Sequence, residues 1–167
     1  GPATQGAVHT SRTMTTGADY HLNLDPRHEN DNVVPYLPPA WMTEQWFVIG
    51  CHLLSGSILN FAEATETQQR DTRETGPSIV FYGARLWESQ AAMVQARIRE
   101  ADAIKRFVFR LLMPIGYKVA DLKFQKKRPG LFWNIFYSFA DTILFGPIRS
   151  SLGLQNARVC YTTGKRN

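Results

Sequence analysis

The sequence predicts an α/β protein: an incomplete parallel sheet with covering helices, and a long helical insertion between two of its strands. Three observations carry this. Short apolar runs rich in β-branched and aromatic residues, at Asn32–Leu37, Ser57–Phe61, Ser78–Tyr82 and Arg158–Tyr161, read as strands. Helical patterns alternate with the first three, the order that produces a parallel sheet. An excursion of about seventy residues, helical in pattern, then separates the third run from the fourth, and insertions of that length are usually functional.

The elements follow in order. "GAVHTS" at Gly6–Ser11 reads as a short strand, and Arg12–Leu24 as a weak helix interrupted by Gly17. "DPRHENDN" is rich in turn formers. Pro35 inside "NVVPYL" removes a ladder donor, which places that strand at an edge or a bulge, and Pro38-Pro39 stops it. Thr43 is the expected N-cap of a helix through Leu54, with Gly56 just past its end. Apolar residues surround that helix on most sides, so it is expected to be buried. Thr65-Glu66-Thr67-Gln68 fits a capping box opening a helix that ends near Gly76.

Within the excursion, Trp87, Ala91, Val94, Ile98, Ala101, Ile104, Val108 and Leu111 step by three or four, predicting one long helix that Pro114 ends. Leu131–Ile148 is the most apolar stretch and approaches the length of a membrane span. Asn134, Ser138 and Asp141 nevertheless share one helical face, and a central Asp costs roughly 3 kcal/mol in a bilayer. The stretch therefore reads as an amphipathic helix, buried or lying at an interface. The last strand is expected to run into a tight turn at Thr162-Thr163-Gly164.

The chain has 167 residues and a net charge of +5, with 44% apolar residues, enough to build a globular core. Part of the charge is concentrated in Lys118, Lys123, Lys126, Lys127 and Arg128. That cluster suits an anionic membrane surface or a phosphate-bearing ligand, or is a solvated loop. No nucleic-acid-binding motif accompanies it, and nucleic acid is not an expected partner. Cys51 and Cys160 sit in apolar surroundings and read as reduced, buried thiols of a cytoplasmic protein.

HExxH, GxSxG, CxxC and GxxxxGK[ST] are all missing, so neither a catalytic residue nor a metal site is assigned. His52 is expected to hydrogen-bond locally on its helix. Two loops are more informative. "YLPPAWMTEQW" sets a double proline, aromatics and Glu44 between a strand and a helix, and "YTTG" follows the last strand. Ligands of parallel sheets bind beyond the carboxyl ends of strands.

Together, "LPPAWMTEQW", "GPSIVFYGARLWES", "IGYKVADLKF" and "LFGPIRSSLGLQNARVCYTTG" resemble, in order and spacing, the long-chain fatty-acid–CoA ligases of the adenylate-forming (AMP-binding) superfamily. The resemblance runs from Gly6 to Gly164. It implies that residues 1–167 are part of the large N-terminal AMP-binding domain, with residues 84–153 as a helical insertion within it. It further implies ATP, Mg2+ and CoA as cofactors and substrates of a parent enzyme that activates a fatty acid as an acyl-adenylate.

Residue by residue, the resemblance sets Thr162, Thr163 and Gly164 at the edge of the adenine pocket, and Gln5 and Gly6 as a remnant of the phosphate loop. It sets Trp41, Glu44 and Trp46 at the border of the acyl and nucleotide pockets, with Trp41 where most members carry His. The Tyr-Gly-x-Thr-Glu stretch, the ribose-binding Asp and the C-terminal Lys of the family do not occur. The resemblance therefore implies an internal piece of a larger enzyme, inactive alone, whose ends a truncated reading, a shifted frame or a deliberate cut would equally produce. The other reading is a non-catalytic module that meets a membrane surface through the basic connector and the aromatic helix.

Overall fold

The computed structural model describes residues 8–127 and 130–163. The chain divides into two compact units, one made of residues 1–81 and 156–161, the other of residues 82–155 and 162–167. A sheet of order β2-β1-β3-β4 is built from β1 (Asn32–Val33), β2 (Ile58–Leu59), β3 (Ile79–Gly83) and β4 (Val159–Thr163). β1 runs parallel to β2, with Asn32 opposite Ile58 and Val33 opposite Leu59, and parallel to β3 through Val33 and Ile79. The α/β class with a parallel sheet is as the sequence predicts.

Pro35 was expected to mark an edge strand or a bulge, and the edge position does not hold. Instead β1 lies in the interior of the sheet, and its ladder stops at Val33, two residues before the proline that cannot donate. The bonds on either side are Ile58 N–H to the Asp31 carbonyl (2.8 Å), Asn60 N–H to Val33 (2.9 Å) and Ser78 N–H to Asn32 (3.1 Å).

The expected strand at Gly6–Ser11 is not formed by its described part. Residues 8–10 are irregular, and α1 (Ser11–Leu24) starts there because the Thr10 side chain accepts the Thr13 N–H; Gly6 lies outside the described residues. α1 packs through small residues. A Cβ on Gly50 would come within 3.0 Å of the Ala18 Cβ, and one on Gly17 would touch the Trp46 side chain.

Opposite α1 is a π-helical segment, Glu44–Gly50, continued by α2 (Cys51–Ser55). Thr43 does not cap it. Thr43 is already helical and makes no capping bond, while the Trp41 carbonyl accepts the N–H groups of Glu44 and Gln45. Gly56, at φ 72°, closes α2 in the left-handed conformation. Burial is one-sided. Phe47, Val48 and Cys51 are buried, whereas Leu53 and Leu54 are exposed, contrary to the expectation of a helix covered all round. Val33, Phe47, Val48, Ile79 and Phe81 form the core of this unit.

α3 (Gln68–Thr75) also opens differently from the capping box expected at Thr65–Gln68. The Thr67 hydroxyl donates to Asp71 (2.6 Å), and Gln68 Nε2 reaches away to the Pro35 carbonyl (3.1 Å).

The second unit is helical. The single helix expected from Trp87 to Pro114 is two helices, α4 (Ala84–Glu100) and α5 (Ala103–Phe124), broken at the extended residues Ala101 and Asp102. Arg97 and Arg99 at the end of α4 and Asp102 at the start of α5 suit the two helix dipoles. Arg106 donates to the Arg99 carbonyl (3.3 Å), satisfying a group the break leaves open. Pro114 sits inside α5 rather than ending it.

The aromatic stretch is α6 (Leu131–Ala140), a π-helical segment Asp141–Phe145, and α7 (Gly146–Leu152). A Cβ on Gly146 would lie 2.8 Å from the Asp141 carbonyl oxygen, so the junction admits only glycine. Arg149 spans it with a two-pronged pair to Asp141, at 2.6 and 2.7 Å, and its hydrogen bonds hold the Asp141 carboxyl below the usual range. No helix among the described residues is long and apolar enough to cross a membrane.

Truncating a ring in the core should cost far more than truncating one on α6. Phe47→Ala, at a site 2% exposed, is expected to lose about 3–5 kcal/mol of unfolding free energy, and Phe139→Ala, 60% exposed, about 0.5 kcal/mol or less. Urea unfolding followed by circular dichroism measures both.

Candidate functional site

The carboxyl ends of β1 and β2 open onto a cavity of about 530 Å³. Its wall combines the proline loop (Pro35, Leu37), the π-helical segment (Glu44, Val48), Phe61 after β2, and Gln68 at the start of α3. The prolines stop the ladder and turn the chain across the strand end. Gln45 donates from its side chain to the Pro39 carbonyl, and Gln68 to that of Pro35, so both sides of the loop are fastened to helices.

Glu44 is the charged group of this wall. It is 3% exposed, and its Oε1 has no hydrogen-bond partner. Burial pushes its pKa up to about 7, only partly offset by a hydrogen bond from the Leu37 backbone. The site is therefore an apolar cleft holding one carboxyl whose charge changes near neutral pH.

The residues expected at a pocket border are not all brought together. Glu44 lines the cavity. Trp41 is exposed in the preceding turn, and neither it nor Trp46 is in the wall. Trp46 turns toward α1, with its ring edge-on to His21 at 5.7 Å and beside Gly17. Thr162 and Thr163 are exposed and belong to β4, which continues through them where a tight turn was expected. Gly164, Gln5 and Gly6 lie outside the described residues. His52 bonds locally, through Nδ1 and the Ser57 carbonyl. Cys51 is buried as expected, but Cys160 is exposed, because alternate residues of β4 face outward.

At the opposite, amino-terminal edge of the sheet lies a polar cluster that sequence reasoning missed. Asp31 accepts from the Ser78 hydroxyl (2.7 Å), the His28 N–H (3.0 Å) and Arg158 Nη2 (3.0 Å). Arg158 Nη1 also donates to Asp25 (3.0 Å), which accepts from the Tyr161 hydroxyl as well. Burial alone would raise both carboxyls, but these hydrogen bonds outweigh it and hold them below the usual range. Beside them Arg27 is buried, with its guanidinium 4.3 Å over the Phe47 ring and its nitrogens without hydrogen-bond partners. Apart from Ser78, which opens the "SIVFY" run, these groups fall in "DPRHENDN" and the last strand, stretches whose composition signals only turns and burial.

No protein-family model and no solved structure matches the chain. Three relatives do. The human (Homo sapiens) long-chain-fatty-acid–CoA ligase ACSBG2 is 27% identical over 154 residues, covering 89% of this chain and 22% of the relative. The mouse (Mus musculus) protein of the same name is 23% identical over 161 residues, covering 93% and 24%. The rat (Rattus norvegicus) protein is 25% identical over 160 residues, covering 92% and 23%.

Glu44 generates a prediction that separates its charge from its shape. Its folded-state pKa is raised, so its contribution to stability is fully present below the unfolded value and is lost as pH rises through about 7. Glu44→Gln keeps the shape without the charge. The variant should gain on the parent as pH increases, by about 1–3 kcal/mol between pH 5.5 and 8.5. Urea midpoints at the two pH values test this; an equal difference at both would refute it. The chain is thus similar, over about nine-tenths of its length, to long-chain-fatty-acid–CoA ligases, of which it spans between a fifth and a quarter.

Proposed function

We propose that this chain is part of a long-chain fatty-acid–CoA ligase of the adenylate-forming superfamily, belonging to its large N-terminal AMP-binding domain, with residues 84–153 as a helical insertion. The observation that carries the reading is the near-complete coverage of the chain by three ligases of that name. The apolar cleft at the carboxyl ends of parallel strands supports it, since that is where such sheets take ligands.

The parent reaction joins a fatty acid to ATP with release of pyrophosphate, after which coenzyme A takes the acyl group as a thioester. This chain's own residues have a limited part in it. Pro35, Leu37, Val48 and Phe61 give the cleft an apolar wall that excludes water from an acyl group. Thr162, Thr163 and Gly164 are assigned to the edge of the adenine pocket. Among the described residues, no group of three or more His, Cys, Asp or Glu side chains could hold a metal ion. The Mg2+ ligands and the CoA site are not assigned to this stretch, in which the family's Tyr-Gly-x-Thr-Glu sequence does not occur.

Two measurements test the reading. ATP–pyrophosphate exchange with palmitate should not exceed a no-protein control for this 167-residue chain alone, because the family's complete phosphate loop, magnesium-binding Glu and C-terminal Lys do not occur in it. In a full-length ligase carrying this segment, Gly164→Val should raise the KM for ATP at least tenfold more than that for the fatty acid, by roughly 1.4 kcal/mol. An unchanged ATP dependence would remove Thr162–Gly164 from the adenine pocket. Trp46→Ala, at a side chain packed on α1, should lower stability by about 3 kcal/mol and leave chain-length preference unchanged.

A further inference from the structure

Asp25 is an acid at the carboxyl end of a helix. It caps α1, donating its own N–H to the His21 carbonyl at 2.9 Å. A negative side chain there opposes the helix dipole and weakens the helix end. Gly56, Gly76 and Gly153 close α2, α3 and α7 without a charge. Pro26 follows, and a proline ends a helix whatever residue precedes it. Ending α1 therefore does not call for a carboxylate at position 25.

What this carboxylate does is hold β4. Its Oδ1 accepts Arg158 Nη1 at 3.0 Å, and its Oδ2 accepts the Tyr161 hydroxyl. One side chain thus grips both ends of residues 158–161, across separations of 133 and 136 residues. The loop that follows Asp25 closes round the same guanidinium. Arg158 Nη2 donates to the Pro26 carbonyl at 3.2 Å and to Asp31 at 3.0 Å.

Tyr161 is fixed at both ends of its side chain. Its ring meets Phe47 at 5.1 Å and His21 at 5.4 Å, edge-on in both cases. Burial, and then the Asp25 carboxylate, push its phenol well above the ordinary value, so the hydroxyl stays protonated and donates. With ring and hydroxyl both held, the direction of the backbone leaving Tyr161 is set. The next two residues, still within β4, are Thr162 and Thr163.

We propose that Asp25 is a positioning residue for the nucleotide: through the Arg158 guanidinium and the Tyr161 hydroxyl it sets where Thr162 and Thr163 meet the adenine of ATP. The proposal rests on the ligase reading and its adenine edge. Asp25 touches neither ATP nor the reacting atoms and acts only through β4. Two features favour this role over a general contribution to stability. The carboxylate stands at a helix end that it weakens, and both of its side-chain bonds go to the segment that leads into the adenine edge.

The test is steady-state kinetics of a full-length ligase carrying this segment, with ATP and palmitate varied in turn. Asp25→Ala should raise the KM for ATP about tenfold and leave kcat and the KM for palmitate within about twofold. Asp25→Asn, which keeps an oxygen for the Tyr161 hydroxyl, should recover part of that loss. Tyr161→Phe keeps the ring packing and deletes only the hydroxyl; it should raise the KM for ATP about threefold. Combining it with Asp25→Ala should add nothing, since both break the same bond. In the 167-residue chain, Tyr161→Phe should quicken amide exchange at Thr162 and Thr163 about tenfold and leave β1 unaffected. A side chain that only stabilised the fold would move both KM values alike or neither, and either result, with Gly164→Val still raising the KM for ATP, would overturn the proposal. Unchanged exchange at Thr162 and Thr163 would overturn it as well. An ATP dependence that Gly164→Val also leaves untouched would remove the adenine edge itself, and this proposal with it.

Discussion

The sheet depends on one ion cluster at its amino-terminal edge. Asp31 precedes β1, Ser78 precedes β3, and Arg158 precedes β4, and these three side chains meet in a single set of hydrogen bonds. The Arg158 and Val159 N–H groups reach the Ser78 carbonyl, at 2.7 and 3.3 Å, so the side-chain contact and the start of the ladder reinforce one another. Without that contact β4 would have short backbone pairing and Tyr161 as its principal anchors. Asp31 is almost fully buried, and a buried carboxylate that loses its partners costs several kcal/mol, so the arrangement tolerates little slippage in register.

The other edge of the sheet is governed by irregular backbone. Pro35 cuts β1 short, Pro38 and Pro39 turn the chain over the strand end, and the helix that follows is wound with an extra residue per turn over Glu44–Gly50. π-helical turns are rare and often occur at functional sites. Here the segment sends Glu44 and Val48 to the cleft while Trp46 faces α1 and Phe47 the core. The buried carboxyl of Glu44 is consistent with a cleft made for binding, since a core optimised for stability would not retain it.

Sheet class and strand order along the chain were legible because "SIVFY" has no other stable environment than a covered strand, and "RVCY" pairs β-branched and aromatic residues at the spacing of a half-covered one. Helix ends closed by Gly56 and Gly76 were legible for an equally local reason. What escaped was set by tertiary contacts. Nothing in the periodicity from Trp87 to Leu111 distinguishes one helix from two, because Ala101 and Asp102 keep the spacing intact; the charges of Arg97, Arg99 and Asp102 were the available signal. Pro114 was overrated as a terminator, since helix packing can outweigh one lost backbone bond. At the site, Glu44 could be picked out from its loop, but Gln68 could not, because its bond to Pro35 spans 33 residues of chain.

The pairing of β4 with β3 across the whole helical unit has a kinetic consequence. Asn156 donates to the Gly76 carbonyl across a separation of 80 residues, and the Arg158 bond to Asp31 spans 127. Closing so long a loop is entropically slow when its interior is disordered, although the cost rises by only about 0.6 kcal/mol per doubling of length. α4–α7 are made of local contacts and can form on microsecond timescales. Folding should thus be hierarchical: strands β1–β3 and the helices organise separately, and the arrival of Arg158 at Asp31 is the late, rate-limiting step. During synthesis, Asp31 and Ser78 would emerge well before their partner, leaving β3 with an unpaired edge for the seconds needed to translate the helices, at about 5–20 residues per second.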